Sequence, residues 1–243
     1  MYPVREEGIV LRRVEYGNTS AIVTVLTRRH GLVACMVRGM RRSGKTNLSG
    51  VLDTLNRVEC LFTLRDSRSV QTLTGAALLD WRRALRTDPV RMACAAVLGE
   101  AALILGETGD TETLYDELEN GLDSLASCAT AQLPGVTALG LLRLIGTAGI
   151  APVLECCADT GAPPGQARSL NMETGLCQEN SGIPVNRDIA MALAALARGE
   201  TGILPQAGMA CLNALARYVG AHANRDLGSV RVLAQMLNPG RSS

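Results

Sequence analysis

Short apolar runs separated by turn residues fill the first 78 positions of the chain and predict a β-rich module. The segment 56–65 shows this most plainly, because Val58, Cys60 and Phe62 alternate with polar residues, as in a strand with one solvated face. Comparable runs predict five strands, at residues 8–14, 20–27, 32–38, 56–65 and 69–75. Five strands of this kind favour a small closed barrel, and the OB-fold is the five-stranded barrel that binds nucleic acids.

After Leu78 the spacing of apolar residues becomes helical. Asp88 and Pro89 form an N-cap followed by a first-turn proline, and an apolar face then follows at Val90, Cys94, Val97, Leu98, Ala101 and Leu105. Further helices are predicted at residues 112–126, 136–148, 187–197, 205–220 and 229–237. Residues 151–186 lack a clear period, which predicts a loop-rich insert. The expected fold is α+β and multidomain, with an OB-fold β-barrel at 1–78 and an α-helical domain at 79–243.

The composition is that of an ordinary folded protein, with 47% hydrophobic and 19% charged residues. The first eight residues have no apolar signal-peptide core, so we expect a cytoplasmic protein with no membrane contact. The eight cysteines are scattered and lie mostly inside apolar runs, which favours reduced, buried thiols over disulfides.

The formal net charge of +1 conceals a strong asymmetry along the chain. Residues 1–86 have 15 basic and 7 acidic side chains, a net charge of +8, whereas the remainder has 9 and 16, a net charge of −7. A positive module attracts polyanions, and a negative one leaves its contacts to proteins. The asymmetry is equally compatible with a role in solubility alone.

The basic residues of the first module are the candidate DNA contacts. They lie at strand ends, in turns and in a glycine-bounded loop, at Arg12, Arg13, Arg28, Arg29, Arg38, Arg41, Arg42 and Lys45. Aromatic residues before position 78 are restricted to Tyr2, Tyr16 and Phe62, so the module has few side chains on which bases could stack. We therefore expect binding that is led by phosphate contacts and sensitive to salt.

The segment Gly39 to Thr46 also matches the P-loop pattern G-x-x-x-x-G-K-[ST], which suggests a nucleotide-binding protein as the alternative. A working P-loop opens a long helix, but Asn47, Ser49 and Gly50 follow within a few residues and leave room for one turn at most. No nucleophile is placed with either histidine, His30 or His222, in a recognisable motif, so no enzyme is expected.

The cysteines of the insert form an incomplete zinc pattern. Cys157 and Cys177 each begin a C-x-x-x tetrad whose fourth residue is Thr160 or Asn180, where a structural zinc site has a second cysteine. Cys156 offers a third thiol, but the set is irregular. We therefore predict a degenerate zinc-finger-like insert with no bound metal and no other cofactor.

Several stretches resemble the RecO family in order and spacing. They are residues 7–12, the pair Tyr16-Gly17, residues 24–31 and residues 38–42. The family's later P-x-L-x-x-C-x-x-C-G and G-x-x-C-x-x-C patterns are partly echoed by Pro152, Leu154, Cys157, Thr160, Gly161, Gly175 and Cys177. The chain departs from the family at Thr160 and Asn180, and at Asn18, where members often have glutamate.

The resemblance implies an OB-fold followed by a helical domain, in a recombination mediator that binds single- and double-stranded DNA and anneals complementary strands. It also implies the partners RecR and the acidic C-terminal tail of single-stranded-DNA-binding protein, and through them RecA loading at the nucleoid. An acidic, apolar tail needs a pocket with a basic rim, for which the helical half offers Arg143, Arg217, Arg225 and Arg231. The sequence leaves the choice among these four open.

Overall fold

The computed structural model describes residues 2–40, 48–65, 67–107 and 110–237, apart from the side chain at position 2. The chain divides into two compact units. The barrel unit comprises Met1–Arg83 and Gly106–Asp116, and the helical unit comprises Ala84–Leu105 and Glu117–Ser243. Among the described residues, no helix is both long and apolar enough to cross a membrane.

The barrel unit contains five strands and one short helix. The strands are β1 (Tyr2–Tyr16), β2 (Ser20–Thr27), β3 (Gly31–Val37), β4 (Arg57–Leu64) and β5 (Val70–Asp80), with helix α1 (Leu48–Val51) between β3 and β4. They form a closed barrel in the order β1-β2-β3-β5-β4, in which only the β3–β5 pairing is parallel. This arrangement is an OB-fold, and the predicted five-stranded barrel is confirmed.

Strand β1 is longer than its sequence pattern predicts, because it pairs with two neighbours in succession. Its first half, Tyr2 to Ile9, pairs with β4, and its second half, Gly8 to Tyr16, pairs with β2. A β-bulge between Val10 and Arg12 shifts the register on the β2 side. A bulge bends a strand and increases its twist, which suits a strand shared by two sides of a barrel.

The barrel core comes from the inward-facing residues of all five strands. Val23, Cys35 and Phe62 are among its buried members, as the alternation of β2, β3 and β4 requires. Leu52, which directly follows α1, is fully buried in the same cluster, and Leu48 and Val51 pack against it. Helix α1 therefore covers part of the barrel core.

After the barrel, each predicted helical segment forms a helix with bounds within a few residues of the prediction, and one further short helix, at Arg83–Arg86, was not predicted. They are α2 (Arg83–Arg86), α3 (Pro89–Leu105), α4 (Thr111–Ser127), α5 (Leu133–Thr147), α6 (Arg187–Ala197), α7 (Pro205–Ala223) and α8 (Gly228–Leu237). The predicted cap is confirmed, since Asp88 Oδ1 accepts a hydrogen bond from Val90 N at 2.9 Å. In the helical unit, Leu98 of α3 lies against Gly121 and Gly140, where a Cβ would come within 2.8 and 3.0 Å of its Cδ1. Small residues thus let α4 and α5 approach α3 closely.

The insert at residues 151–186 contains a small sheet that the sequence did not reveal. Strands β6 (Ser169–Asn171), β7 (Gly175–Cys177) and β8 (Ile183–Pro184) form it in the order β7-β6-β8. Strands of two or three residues are too short to show a period, which is why the segment was expected to be mostly loop. Gly175 is required here, because a Cβ at this position would lie 2.1 Å from the Val153 carbonyl oxygen.

Candidate nucleic-acid interface

Strands β1, β2 and β3 present two of the predicted cations on their outer surface. Tyr16 pairs with Ser20 and Ala21 pairs with Val37, so the β1–β2 turn and the end of β3 lie at the same end of the barrel. Arg12, opposite Thr24 on β1, is exposed, and so is Arg38, directly after β3. Among the described residues, neither guanidinium group has a carboxylate partner, so both are available to a phosphate.

An apolar row crosses the same outer surface. Val14 pairs with Ile22, which pairs in turn with Met36, so these three side chains are cross-strand neighbours on β1, β2 and β3. Val14 is 42% exposed, Ile22 and Met36 are half-buried, and Tyr16 at the end of β1 is 60% exposed. We call this surface the β1–β2–β3 outer face, and it comprises Arg12, Val14, Tyr16, Ile22, Met36 and Arg38.

Sequence reasoning missed the apolar part of this face. The bulge between Val10 and Arg12 reverses the alternation along β1. Arg12 and Val14 therefore face outward, and Arg13 lies opposite the buried Val23. Nothing in the sequence marks a bulge here. In sequence, Tyr16 is only one of three aromatic residues before position 78, too few to predict base stacking, whereas its exposed ring offers a flat surface for a nucleobase.

Arg13, by contrast, is engaged in contacts within the barrel. Its Nη2 donates to Glu15 Oε1 at 2.7 Å and its Nη1 donates to the Ser49 carbonyl oxygen at 3.1 Å. Only 20% of its side chain is exposed.

Arg28 is also engaged, within the β2–β3 turn. Its Nη2 lies 2.8 Å from Asp116 Oδ1, and its guanidinium carbon lies 4.8 Å from the centre of the buried Tyr115 ring. Asp116 and Tyr115 belong to the first turns of α4, which form part of the barrel unit. An ion pair and a cation–π contact thus occupy this guanidinium group.

The rest of the β2–β3 turn is tied to a buried carboxylate. Glu6 is 9% exposed, its Oε1 accepts a hydrogen bond from Arg29 N, and its Oε2 contacts His30 Nδ1. Arg28 and Arg29 lie at the opposite end of β2 from Arg38. Since β2 has eight residues, its two ends are about 23 Å apart. The described cations are therefore spread along β2, with Arg38 near one end, Arg12 opposite Thr24 in the middle, and Arg28 and Arg29 at the other end, where the sequence suggested one cluster.

The remaining predicted cations, Arg41, Arg42 and Lys45, lie outside the described residues, as does most of the P-loop match. Directly after residues 41–47, the chain forms the four-residue α1 and then enters β4 of a closed barrel. A P-loop requires a long helix at this point, packed on a parallel sheet. The described structure does not supply that context.

The insert does not fit a zinc ion. Cys157 Sγ donates to the Pro163 carbonyl oxygen at 3.7 Å, and Cys177 Sγ lies 3.4 Å from the Glu179 carbonyl oxygen. A carbonyl oxygen only accepts hydrogen bonds, so both contacts suit a protonated thiol and not a metal-binding thiolate. Burial also raises the pKa of the Cys157 thiol. Within the described ranges, no three His, Cys, Asp or Glu side chains are grouped as metal ligands.

Two grooves in the helical unit contain predicted basic-rim residues. One, of about 300 Å³, is lined by Arg217 and Arg231 together with the apolar Leu227 and Val230. The other, of about 260 Å³, is lined by Arg143, whose Nη1 lies 3.9 Å from Glu117 Oε2. Arg225 is exposed in the turn that follows α7. Each groove combines apolar surface with at least one guanidinium group.

Comparison with known proteins gives matches along almost the whole chain. Residues 1–82 match the sequence profile described as Recombination protein O N terminal, and residues 86–231 match Recombination protein O C terminal. A protein named DNA repair protein RecO from Anaeromyxobacter sp. (strain K) is 30% identical over 250 residues, covering 96% of both chains. The protein of that name from Exiguobacterium sibiricum is 28% identical over 249 residues, covering 97% of this chain and 98% of the relative.

Proposed function

Since the chain belongs to the RecO family of DNA repair proteins, we propose that it is a recombination mediator that binds single- and double-stranded DNA and promotes annealing. The resemblance noted in the sequence is thereby confirmed. In this role the protein acts by binding and not by turnover, and its place of action is the nucleoid in the cytoplasm.

The β1–β2–β3 outer face is the observation that carries the proposal. Arg12 and Arg38 stand on either side of the apolar row Val14–Ile22–Met36, without carboxylate partners among the described residues. Guanidinium groups bind phosphates regardless of base, while the apolar row and the Tyr16 ring can receive unpaired bases. Neutralising the phosphates of two strands reduces their mutual repulsion, which favours annealing.

Arg41, Arg42 and Lys45 extend this proposal as sequence-based candidates. They follow Arg38 within seven residues of the sequence and add three positive charges. Each cation that neutralises a phosphate contributes about 0.7 to the salt slope on single strands and about 0.9 on duplexes. Their contribution can therefore be measured separately from that of the outer face.

The experiment is fluorescence anisotropy of a labelled oligonucleotide over a range of salt concentrations. Changing Arg12 and Arg38 together to Gln should weaken binding to all sequences alike and lower the single-strand salt slope by about 1.4. Arg198→Gln is the matched control, because Arg198 is an exposed arginine of the helical unit that is already paired with Glu200 at 2.7 Å. A wild-type protein that does not bind DNA at low salt, or whose salt slope is near zero, would exclude the proposal.

We further propose that the helical unit binds the partners RecR and the acidic C-terminal tail of single-stranded-DNA-binding protein, and so assists RecA loading. The two arginine-lined grooves have the chemistry for an acidic, apolar tail, since each offers a cation beside apolar surface. Titration with a synthetic tail peptide assigns the site. Arg143→Gln should weaken binding if the tail lies in the α4–α5 groove, and Arg217→Gln if it lies in the α7–α8 groove.

The nucleotide-binding alternative rests on the P-loop match alone. It predicts magnesium-dependent ATP hydrolysis that Lys45→Ala abolishes. The mediator proposal predicts that the wild type and the Lys45→Ala variant both bind DNA and that neither hydrolyses ATP. A hydrolysis assay on the two purified proteins, with DNA binding measured on the same samples, separates the two functions.

A further inference from the structure

The six residues of the β1–β2–β3 outer face belong to three cross-strand rows, which Ser20, Thr24 and Ala34 complete. From the β1–β2 turn onward, the rows are Tyr16–Ser20–Arg38, Val14–Ile22–Met36 and Arg12–Thr24–Ala34. Arg38 takes its place in the first row because it directly follows Val37, which pairs with Ala21. None of these nine residues is acidic, so the surface that they form is neutral or positive.

Arg12 and Arg38 lie at opposite corners of this surface. Four residues along the strands and two strand spacings separate them, which places their Cα atoms about 16 Å apart. The apolar row Val14–Ile22–Met36 crosses the surface between them, and Tyr16 shares the row of Arg38. A DNA strand whose phosphates reach both arginines therefore passes over the apolar row.

Tyr16 differs from the two tyrosines that have structural contacts. Tyr115 is 1% exposed and lies 4.8 Å from the Arg28 guanidinium carbon, and Tyr218 is 2% exposed and donates its hydroxyl to the Ile150 carbonyl oxygen at 2.8 Å. Tyr16 is 60% exposed. Among the described residues, its ring has no aromatic or cationic neighbour and its hydroxyl has no hydrogen-bond partner. Most of this ring is therefore open to a ligand.

The backbone that carries Tyr16 is fixed by the barrel. Tyr16 is the last residue of β1 and pairs with Ser20, the first residue of β2. The turn between them is tied down as well, since Thr19 O accepts a hydrogen bond from Met40 N at 2.8 Å. A tyrosine on a fixed backbone has only two side-chain torsions to order, so its contacts with a ligand cost little conformational entropy.

We infer that the outer face selects single strands over duplexes, with Tyr16 as the residue on which an unpaired base stacks. This inference rests on the proposed DNA-binding function. In a duplex the bases are paired and stacked inside the helix, so its backbone offers phosphates to Arg12 and Arg38 but no base to the apolar row. In a single strand the bases are free to cover the Tyr16 ring and the apolar row. The arginines therefore serve both forms of DNA, and Tyr16 serves one.

The experiment measures anisotropy with three probes of equal length: a single strand, a duplex, and an abasic strand that keeps every phosphate and lacks the bases. Tyr16→Ala should weaken binding to the single strand about fivefold or more. Duplex binding and both salt slopes should stay unchanged, because no charge is removed. Tyr16→Phe keeps the ring and should bind like the wild type. Leu204→Ala is the control, since it truncates a 73% exposed apolar residue of the helical unit.

The abasic strand separates base stacking from a general loss of binding. The wild type should bind it more weakly than the natural strand, and Tyr16→Ala should bind it as well as the wild type does, since no base remains to stack. The inference is wrong if the wild type binds both strands equally, if Tyr16→Ala leaves single-strand binding intact, or if it weakens duplex or abasic binding to the same extent. Failure of the wild type to bind any probe at low salt would instead refute the proposed function. Thermal melting shows whether each variant is folded, and the wild-type comparison of the two strands needs no variant.

Discussion

Replacing Arg28 with Gln distinguishes a structural arginine from a DNA contact. Sequence pattern alone groups Arg28 with the candidate DNA contacts, but its guanidinium group contacts both Asp116 and the Tyr115 ring. If these contacts are its role, the substitution should reduce stability and leave the salt dependence of DNA binding unchanged. If Arg28 instead binds a phosphate, the substitution should leave stability nearly unchanged and reduce the salt dependence of DNA binding.

The structure sets the size of the stability loss. The ion pair to Asp116 is short, at 2.8 Å, but the two side chains are 43% and 46% exposed, so screening limits it to about 0.2–1 kcal/mol. The cation–π contact at 4.8 Å adds about 0.5–1 kcal/mol at an exposed site. Together they predict a loss of about 1–2 kcal/mol, or about 2–8 °C in Tm for a chain of this size.

The assay is urea denaturation followed by circular dichroism, with Arg198→Gln as the matched control. Arg198 forms an ion pair with Glu200 at 2.7 Å, and these side chains are similarly exposed, at 48% and 56%. Its described contacts include no aromatic ring. Arg28→Gln should therefore lower the free energy of unfolding more than Arg198→Gln does, and the difference should equal the cation–π contribution. Equal losses would refute the Tyr115 contact, and a fall of about 0.7 in the single-strand salt slope would make Arg28 a phosphate contact.

Three further changes test other parts of the structure. Gly31→Ala should destabilise the protein more than Gly17→Ala in urea denaturation, because both glycines have φ +64° but only at Gly31 would a Cβ meet another side chain, at 2.6 Å; equal losses would contradict the contact. Burial raises the pKa of Cys35 to about 12, so with rising pH this thiol ionises in the unfolded chain before it does so in the folded protein. The free energy of unfolding should therefore fall above pH 9, and this group should lower it by about 1 kcal/mol between pH 9 and pH 10. A Cys35→Ala protein whose stability has the same pH dependence would refute this expectation. Changing Thr160 and Asn180 together to Cys should create a zinc site with about one ion per chain, measured by metal analysis against the Ser double variant, and failure to take up zinc would show that the two turns do not face each other.

Much of the barrel could be predicted because its strands obey a local rule. The alternation around Val58, Cys60 and Phe62 records which face of β4 meets the core, and all three are buried. The helices were equally accessible, since Asp88 and Pro89 mark a start that depends only on neighbouring residues. These signals are short-range in sequence, which is why periodicity alone could recover the elements.

The candidate site was less accessible because it depends on partners distant in sequence. Arg12 and Arg13 are adjacent and chemically identical, and the bulge alone decides which faces solvent. Arg28 is 88 residues from Asp116, so no local pattern could show that its charge is already paired. A count of basic residues therefore predicted a polyanionic partner but not which residues are available to bind it.

The pairing of charges also limits how strongly DNA binding can depend on salt. On the outer face, the described cations without a carboxylate partner are Arg12 and Arg38, and the sequence adds Arg41, Arg42 and Lys45 as candidates. If each neutralises one phosphate, the single-strand salt slope cannot exceed about 3.5 for an oligonucleotide that contacts only these five residues. A longer strand that also reached Arg29, at the far end of β2 and about 23 Å from the end near Arg38, would raise the limit by about 0.7. The dependence of the salt slope on oligonucleotide length therefore reports whether bound DNA stays on the outer face or continues to the β2–β3 turn.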